Sequence, residues 1–311
     1  MGDQAGLVSV VINFLDAERF IEEAIASVYE QSYPSWELLL IDDGSSDGSS
    51  RIAMRQAQLD SGRVRYFEHA GHENRGTSAS RNLGIMQARG ELIAFLDADD
   101  VCLPQRLERG AALLRDNPEA DMVYGESAYW HSWRTDGGAH PDRVQPQGFV
   151  ANRVVQAPEL LVRYLIHRAA VPCPSSLMAR SRALRECGGF IESFRGLHDD
   201  QAFLARFCLD REVFVSHECW DRYRQHDASM CARAARHGEM RAAQQAYFAW
   251  LREFLEERDV RDMRVWDALR YAELASRYQG PELRSKITRS ALRALTSLKL
   301  ALRSSGSPPP Q

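Results

Sequence analysis

The chain has 311 residues, with 39 basic and 43 acidic side chains, a formal net charge of −4 and a pI near 6.2. That balance excludes general nucleic-acid binding, which needs a basic face, and no apolar run approaches the ~20 residues that span a bilayer. The six cysteines, at 102, 173, 187, 208, 219 and 231, contain no close pair of metal-ligand type, so the expectation is reduced thiols in a cytoplasmic protein.

Val8 to Ile12 reads as the first strand, and the apolar stretch Leu7 to Ile12 is too short for a signal-peptide core. Asp16 is placed to cap a helix whose apolar positions Phe20, Ile21, Ala24, Ile25 and Val28 recur at helical spacing, and Tyr33-Pro34 ends it. Trp36 to Ile41 is a second apolar strand, followed at once by Asp42-Asp43-Gly44-Ser45-Ser46-Asp47. Gly44 can take positive φ and Asp47 can cap a helix over about 47–59, which leaves Asp42 and Asp43 without an obvious structural duty. An ionised carboxylate only accepts hydrogen bonds, so Asp43 suits an imide N–H such as that of uracil; an ordinary Asp/Gly/Ser turn would look the same.

Strand 64–67, a helix over about 78–89 stopped by Gly90, and strand 92–96 complete an alternation that implies a mainly parallel sheet with helices on its faces. Leu92 to Leu96 is an apolar run of the kind covered on both sides, and nothing inside a sheet could neutralise the Asp97, Asp99 and Asp100 that follow. These belong at its carboxyl edge, where open α/β sheets bind ligands and where clustered carboxylates can hold a hard divalent cation that in turn holds phosphates. One aspartate would suffice to cap the helix expected near Pro104; three exceed that duty.

After Pro118 the regularity weakens. Met122 to Trp130 reads as a strand and Thr135 to Gln147 as a loop. His198-Asp199-Asp200 opens a helical pattern that turns Phe203, Leu204 and Phe207 inward. From Met230 onward the pattern is nearly all helical, with Met240, Ala243, Tyr247, Leu251 and Phe254 on one face, then Val265, Leu269 and Ala272. Arg284 to Arg303 carries six basic and no acidic residues and describes a basic amphipathic helix. Packing on the preceding helices is weighed above peripheral contact with anionic membrane, and self-association is a third use. Residues 304–311 are Ser/Pro-rich and expected to be disordered.

Taken together, Val8-Ser-Val-Val-Ile-Asn13, Asp42-Asp43-Gly-Ser-Ser-Asp47, Asn74-Arg-Gly-Thr-Ser-Ala-Ser-Arg-Asn82, Asp97-Ala-Asp99-Asp100, His198-Asp-Asp200 and Tyr223-Arg-Gln-His226 resemble, in order and spacing, the inverting glycosyltransferases of family 2. The resemblance implies the GT-A nucleotide-sugar-binding fold over residues 1–229, with a nucleotide-binding half over about 1–118 and an acceptor-binding half over about 119–229, then a helical region over 230–303. Most members have Thr or Ser near the end of the first strand and a Tyr-Asn pair after it; this chain has Asn13-Phe14-Leu15-Asp16.

By resemblance, Asp43 accepts from the base imide, Asn13 lines the same pocket, and Asp42 stands beside them. Asp99 binds a Mn²⁺ or Mg²⁺ on the diphosphate, Asp97 contacts ribose or metal, and Arg81 stands near the nucleotide, although an exposed helix arginine reads the same way. Asp200 becomes the base that deprotonates the acceptor hydroxyl, with Asp199 on the acceptor. His226 touches phosphate or metal, Gly189 belongs to a turn lining the acceptor side, and Cys173 to Ser176 form a floor below the sugar. The implied reaction transfers a sugar, from UDP above other nucleotides, to a saccharide or lipid-linked acceptor in bacterial cell-surface polysaccharide or glycolipid synthesis. A nucleotidylyltransferase would show a Gly-rich loop where Asn13 to Glu18 has no glycine, and a non-catalytic nucleotide-sugar binder would have no need of both Asp99 and Asp200.

Overall fold

A computed structural model describes residues 6–134 and 140–277. Its sheet is built first from β1 (Val8–Phe14), β2 (Trp36–Asp42), β3 (Val64–Glu68) and β4 (Leu92–Asp97), joined through helices α1 (Ile21–Tyr29), α2 (Ser49–Leu59) and α3 (Thr77–Gln87). All four strands are parallel, β2 and β4 flanking β1. The chain therefore runs outward from β1 to β3 and then returns to the other side of β1, which creates a switch point between the carboxyl ends of β1 and β4.

Period-two alternation explains why these runs are apolar throughout. Val8, Val10 and Ile12, with Leu38 and Leu40, and with Leu92, Ala94 and Leu96, join one core layer with α1. Val11, Leu39, Ile41, Ile93 and Phe95 face the opposite layer. Gly84 of α3 allows that helix to lie on β1, since a Cβ there would come within 2.4 Å of Val11 Cγ1.

Beyond β4 come β5 (Val101–Cys102), α4 (Arg106–Asp116), β6 (Met122–Trp130), β7 (Arg143–Val144), β8 (Arg153–Val155), α5 (Glu159–Leu165), β9 (Leu177–Arg180), α6 (Ser181–Glu186), α7 (Asp199–Asp210) and β10 (Val213–Arg224). The strand order is β3-β2-β1-β4-β9-β6-β10-β5, with β7 on β6 and β8 on β10. Strand β9 is antiparallel to both β4 and β6, whereas β10 runs parallel to β6 with register shifts between Val215 and Asp221.

Helices α8 (Met230–His237), α9 (Met240–Glu257) and α10 (Met263–Arg277) follow. Tyr247, Leu251, Val265, Leu269 and Ala272 are buried as their spacing predicts, and they belong to the same core as the sheet, so α9 and α10 do not form a separate helical layer. Ala243 and Phe254 are only half-buried, and Met240 is 41% exposed. The basic segment 284–303 and the tail 304–311 lie outside the described residues. No described helix is long and apolar enough to cross a membrane, and all six cysteines are free thiols.

Candidate active site

The acidic edge forms where β1, β2 and β4 end. Asn13 stands on β1 in register with Ile41 and Asp97, and its Oδ1 is buried without a hydrogen-bond donor among the described residues. Such an acceptor is costly unless a ligand donates to it.

Asp43 is 4% exposed and serves its own turn: Oδ1 accepts from the N–H groups of Arg75 (2.8 Å) and Gly76 (3.0 Å), and Oδ2 accepts from Gly76 (3.0 Å). Gly76 can present its amide because it sits at φ 92°, with Arg195 so near that a Cβ would lie 2.9 Å from Cβ of that residue. Oδ2 keeps one acceptor direction for a further donor. Asp42, by contrast, has a structural duty that the sequence reading missed. It is fully buried, with Oδ1 accepting from Ser45 N and Oδ2 from Ser50 Oγ and Tyr66 Oη, so it holds the turn. Asp16 does not cap α1 either; it takes positive φ and accepts from the backbone of Ser46 and Asp47.

Arg81 is the centre of the site. It is 3% exposed rather than solvated, its Nη2 donating to Asp97 Oδ1 at 2.7 Å and its Nη1 to Asp199 Oδ2. Burial works against the guanidinium charge, but Asp97 and Asp199 outweigh it and raise its proton affinity further. One cation thereby ties the end of β4 to the start of α7. Phe190 lies under it, 5.1 Å from the guanidinium carbon to the ring centre, held there because Asn82 Oδ1 accepts from Phe190 N and its Nδ2 donates to Phe190 O. Gly189 belongs to this clamp. It is buried against Asn82, where a Cβ would meet Oδ1 at 2.3 Å, and so is not on the cleft that holds Asp200.

Asp199 and Asp200 open α7, where the positive end of the helix favours them. Burial pushes Asp199 up, Arg81 pulls it back, and Asp200 and Asp97 add to the rise, leaving it at about 7. With Asp199 engaged by Arg81, the carboxyl left facing open space is Asp200. It lines a cleft of about 150 Å³ with Ser127, Tyr129, Gln145, Cys173 and Tyr223. Burial raises its pKa above the ordinary carboxylate value, against the N–H of Gln201 and the charge of Arg81, while Asp97 adds to the rise.

Asp99 Oδ2 accepts from His226 Nε2 at 2.8 Å; no described donor reaches Oδ1. The His226 ring clusters with Phe20 (4.8 Å) and Trp133 (6.4 Å), and its Nδ1 is buried without a partner among the described residues. The sequence reading missed the residue that positions Asp99. Arg224, 3% exposed, donates from Nε to Asp99 O (2.6 Å) and from its backbone N–H to Asp100 Oδ1 (2.9 Å), pairs with Glu23, and lies over Trp130 at 4.3 Å. Asp100 itself is fully buried, accepting from Ser175 Oγ as well, and burial together with Asp99, Asp97 and Asp221 lifts its pKa well above the ordinary range.

Asp221 and Cys173 gather behind Asp100, their ligand atoms within 4.8 Å of one another. Burial pushes the fully enclosed Asp221 up to about 6, against Arg106, Ser127 and Cys173, with Asp97 adding to the rise. Because the folded chain holds this proton to higher pH than the unfolded chain, whose carboxylate titrates near the ordinary value, stability falls as pH climbs through about 4–6. Asp221→Asn cannot ionise, so in urea titrations the mutant should gain about 3 kcal/mol relative to wild type between pH 4 and pH 7.5, at ~1.4 kcal/mol per pH unit. A pH-independent difference would show that Asp221 carries no buried charge.

The comparisons with known proteins agree with this geometry. Residues 9–173, over half of the chain, match the model of glycosyl transferase family 2. Over 122 residues, 39% of this chain and 47% of the relative, the chain is 38% identical to TuaG of Bacillus subtilis, named for teichuronic acid biosynthesis. EpsJ of the same organism, named as an uncharacterized glycosyltransferase, is 34% identical over 50% of this chain and 41% of its own length. The chain thus spans less than half of either relative.

Among solved structures, S. aureus TarS 1–349 in complex with UDP-GlcNAc superposes with a TM-score of 0.65 at 17% identity, covering 96% of this chain and 81% of that one. The mannosyltransferase PcManGT from Pyrobaculum calidifontis, in complex with GDP-Man and Mn²⁺, gives 0.59 at 19% identity over 98% of this chain and 77% of that one. These likenesses establish the GT-A fold. With the family model covering most of the sheet and its acidic edge, the chain is a member of glycosyl transferase family 2.

Proposed function

We propose that this chain is a metal-dependent inverting glycosyltransferase that moves a sugar from a nucleoside diphosphate, UDP above others, to an acceptor hydroxyl in cell-surface polysaccharide or glycolipid synthesis. The observation that carries the reading is the Asp97–Arg81–Asp199 bridge, which brings the carboxyl edge of the sheet to the free carboxyl of Asp200. The names of TuaG and of the TarS complex favour the polysaccharide setting and the UDP donor.

The residues present fit a divalent cation. Asp99 offers a carboxylate oxygen that meets no donor among the described residues, and hard oxygen donors suit Mn²⁺ or Mg²⁺. Asp99, with His226 and Asp97 beside it, would hold the ion, which supplies charge neutralisation to the departing diphosphate. The bare Oδ1 of Asn13 and the remaining direction on Asp43 Oδ2 accept from the base. Asp200 takes the proton from the acceptor hydroxyl as that oxygen attacks the anomeric carbon; its raised pKa places the acid limb of kcat/KM above the ordinary carboxylate range, with activity rising as pH increases through it.

Asp99→Ala tests the metal assignment. Wild type should bind UDP more tightly in Mn²⁺ than in EDTA by calorimetry, and the mutant should show the same affinity in both. Equal wild-type affinities would count against Asp99. A nucleotidylyltransferase, the alternative enzyme, would release pyrophosphate from a nucleoside triphosphate and a sugar phosphate, which this chain should not do.

A further inference from the structure

The Asp200 cleft carries a second carboxyl that no step above uses. Glu126, from β6, lines the same space of about 150 Å³. That is room for roughly ten water-sized groups at ~10–15 Å³ each, the scale of one sugar ring with its hydroxyls. Glu126 Oε1 accepts from Gln147 N at 3.4 Å, its only hydrogen-bond or ion-pair partner among the described residues.

Two amides share this wall. Gln147 is 4% exposed, yet its side-chain amide has no hydrogen-bond partner among the described residues, and neither has that of Gln145. A buried amide left bare is costly unless a ligand supplies what it lacks, so the wall suits hydroxyl groups. Tyr129 and Tyr223, with ring centres 5.4 Å apart, add aromatic surface for the C–H face of a ring.

Charge sets this cleft apart from an anion site. Asp200 and Glu126 line it, and no described Lys or Arg does. Arg81 is engaged by Asp97 and Asp199, and Arg143 lies over the Tyr129 ring at 5.2 Å without lining the space. A carboxylate or phosphate brought here would meet two like charges in a partly enclosed space, where they are screened less than on an open surface. An ammonium would meet two opposite ones.

We propose that Glu126 sorts acceptors by charge: the sugar placed at Asp200 is neutral or carries an amine, and a uronate or phosphosugar is turned away. This rests on the reading of Asp200 as the acceptor-side base and adds the class of sugar that the base serves. Glu126 accepts from a hydroxyl or ammonium of that sugar, while the Gln145 and Gln147 amides bind its remaining hydroxyls.

The test is binding of methyl glycosides to the full chain in the presence of UDP and Mn²⁺ at low ionic strength. The gluco, galacto and manno series are each offered as the neutral sugar, the 2-amino sugar, the uronate and the uronamide, which has the shape of the uronate without its charge. In the series that binds, the neutral, amino and uronamide forms should bind at least about tenfold more tightly than the uronate, since like charges set against each other suppress the wrong partner, and added salt should narrow the gap. Glu126→Gln keeps the shape of the side chain and should narrow it several-fold; Gln145→Lys, which sets a cation on the same wall, should do the same, with UDP affinity reporting that each variant is folded. A uronate that binds as well as its uronamide, a gap unchanged in both variants, or no binding of any neutral or amino form overturns the inference, while UDP binding leaves the proposed function standing. Absence of UDP binding would remove both.

Discussion

Asp200→Asn should lower sugar transfer by ~10²–10⁴-fold, the usual worth of a positioned general base, while UDP binding in Mn²⁺ stays at the wild-type level. The amide keeps the side-chain shape and can still accept the Gln201 N–H, now at 2.7 Å, but it cannot take a proton. Steady-state rates should therefore fall in kcat, with little change in donor affinity. A mutant within threefold of wild type would place the base elsewhere. Asp199 is a poor substitute because Arg81 already occupies it, and Asp199→Asn would then be the decisive comparison.

Arg81→Met should be the most destabilising substitution in the site. Removing one partner of a buried ion pair leaves uncompensated charge and typically costs ~3–5 kcal/mol; here a single guanidinium serves two carboxylates. Without it, Asp199 can only escape by binding a proton, so its folded-state pKa rises further. The stability deficit should be largest at pH 8 and shrink toward pH 5, as the folded state takes up protons that the unfolded state does not. Urea titrations at the two pH values measure this directly. Arg81→Lys should recover little, since an ammonium is a point charge and lacks the planar fork that reaches two acceptors at once. A deficit independent of pH would mean that packing on Phe190, not charge, is what Arg81 contributes.

The sequence made the first half of this fold readable because each strand from β1 to β4 is buried on both faces and each helix between them is amphipathic. Those signals are local. Strands β9 and β10 escaped notice for the opposite reason: Val213 to Arg224 mixes His217, Glu218, Asp221 and Arg222 into its apolar positions, and what keeps it in the sheet is pairing with β6, far away in sequence. The same distinction holds in the site. Asp97, Asp99 and Asp200 were visible as carboxylates with no apparent neutralising partner, whereas Asp42 looked identical until Ser50 and Tyr66 were found donating to it. Arg81 read equally well as a solvated helix residue because Asp199, its partner, lies 118 residues away. Arg224 sat inside a recognised motif, yet only the fold shows that it reaches the Asp99 carbonyl and lies over Trp130.

Strand β10 has a consequence for synthesis. β5 (Val101–Cys102) closes the far edge of the sheet on Asp221 and Arg222, and the Asp99 carbonyl waits for Arg224. A growing chain therefore carries Asp97, Asp99 and Asp100 for more than a hundred residues before the segment that fixes Asp99 leaves the ribosome. At ~5–20 residues per second, the β1–β4 layer has several seconds in which it can form while the ground beneath Asp99 is unfinished. Nascent chains stalled before residue 224 should thus have an ordered parallel sheet whose Asp99 backbone is not yet held, so that ordering of this edge reports completion of the last strand and not the arrival of the acidic motif.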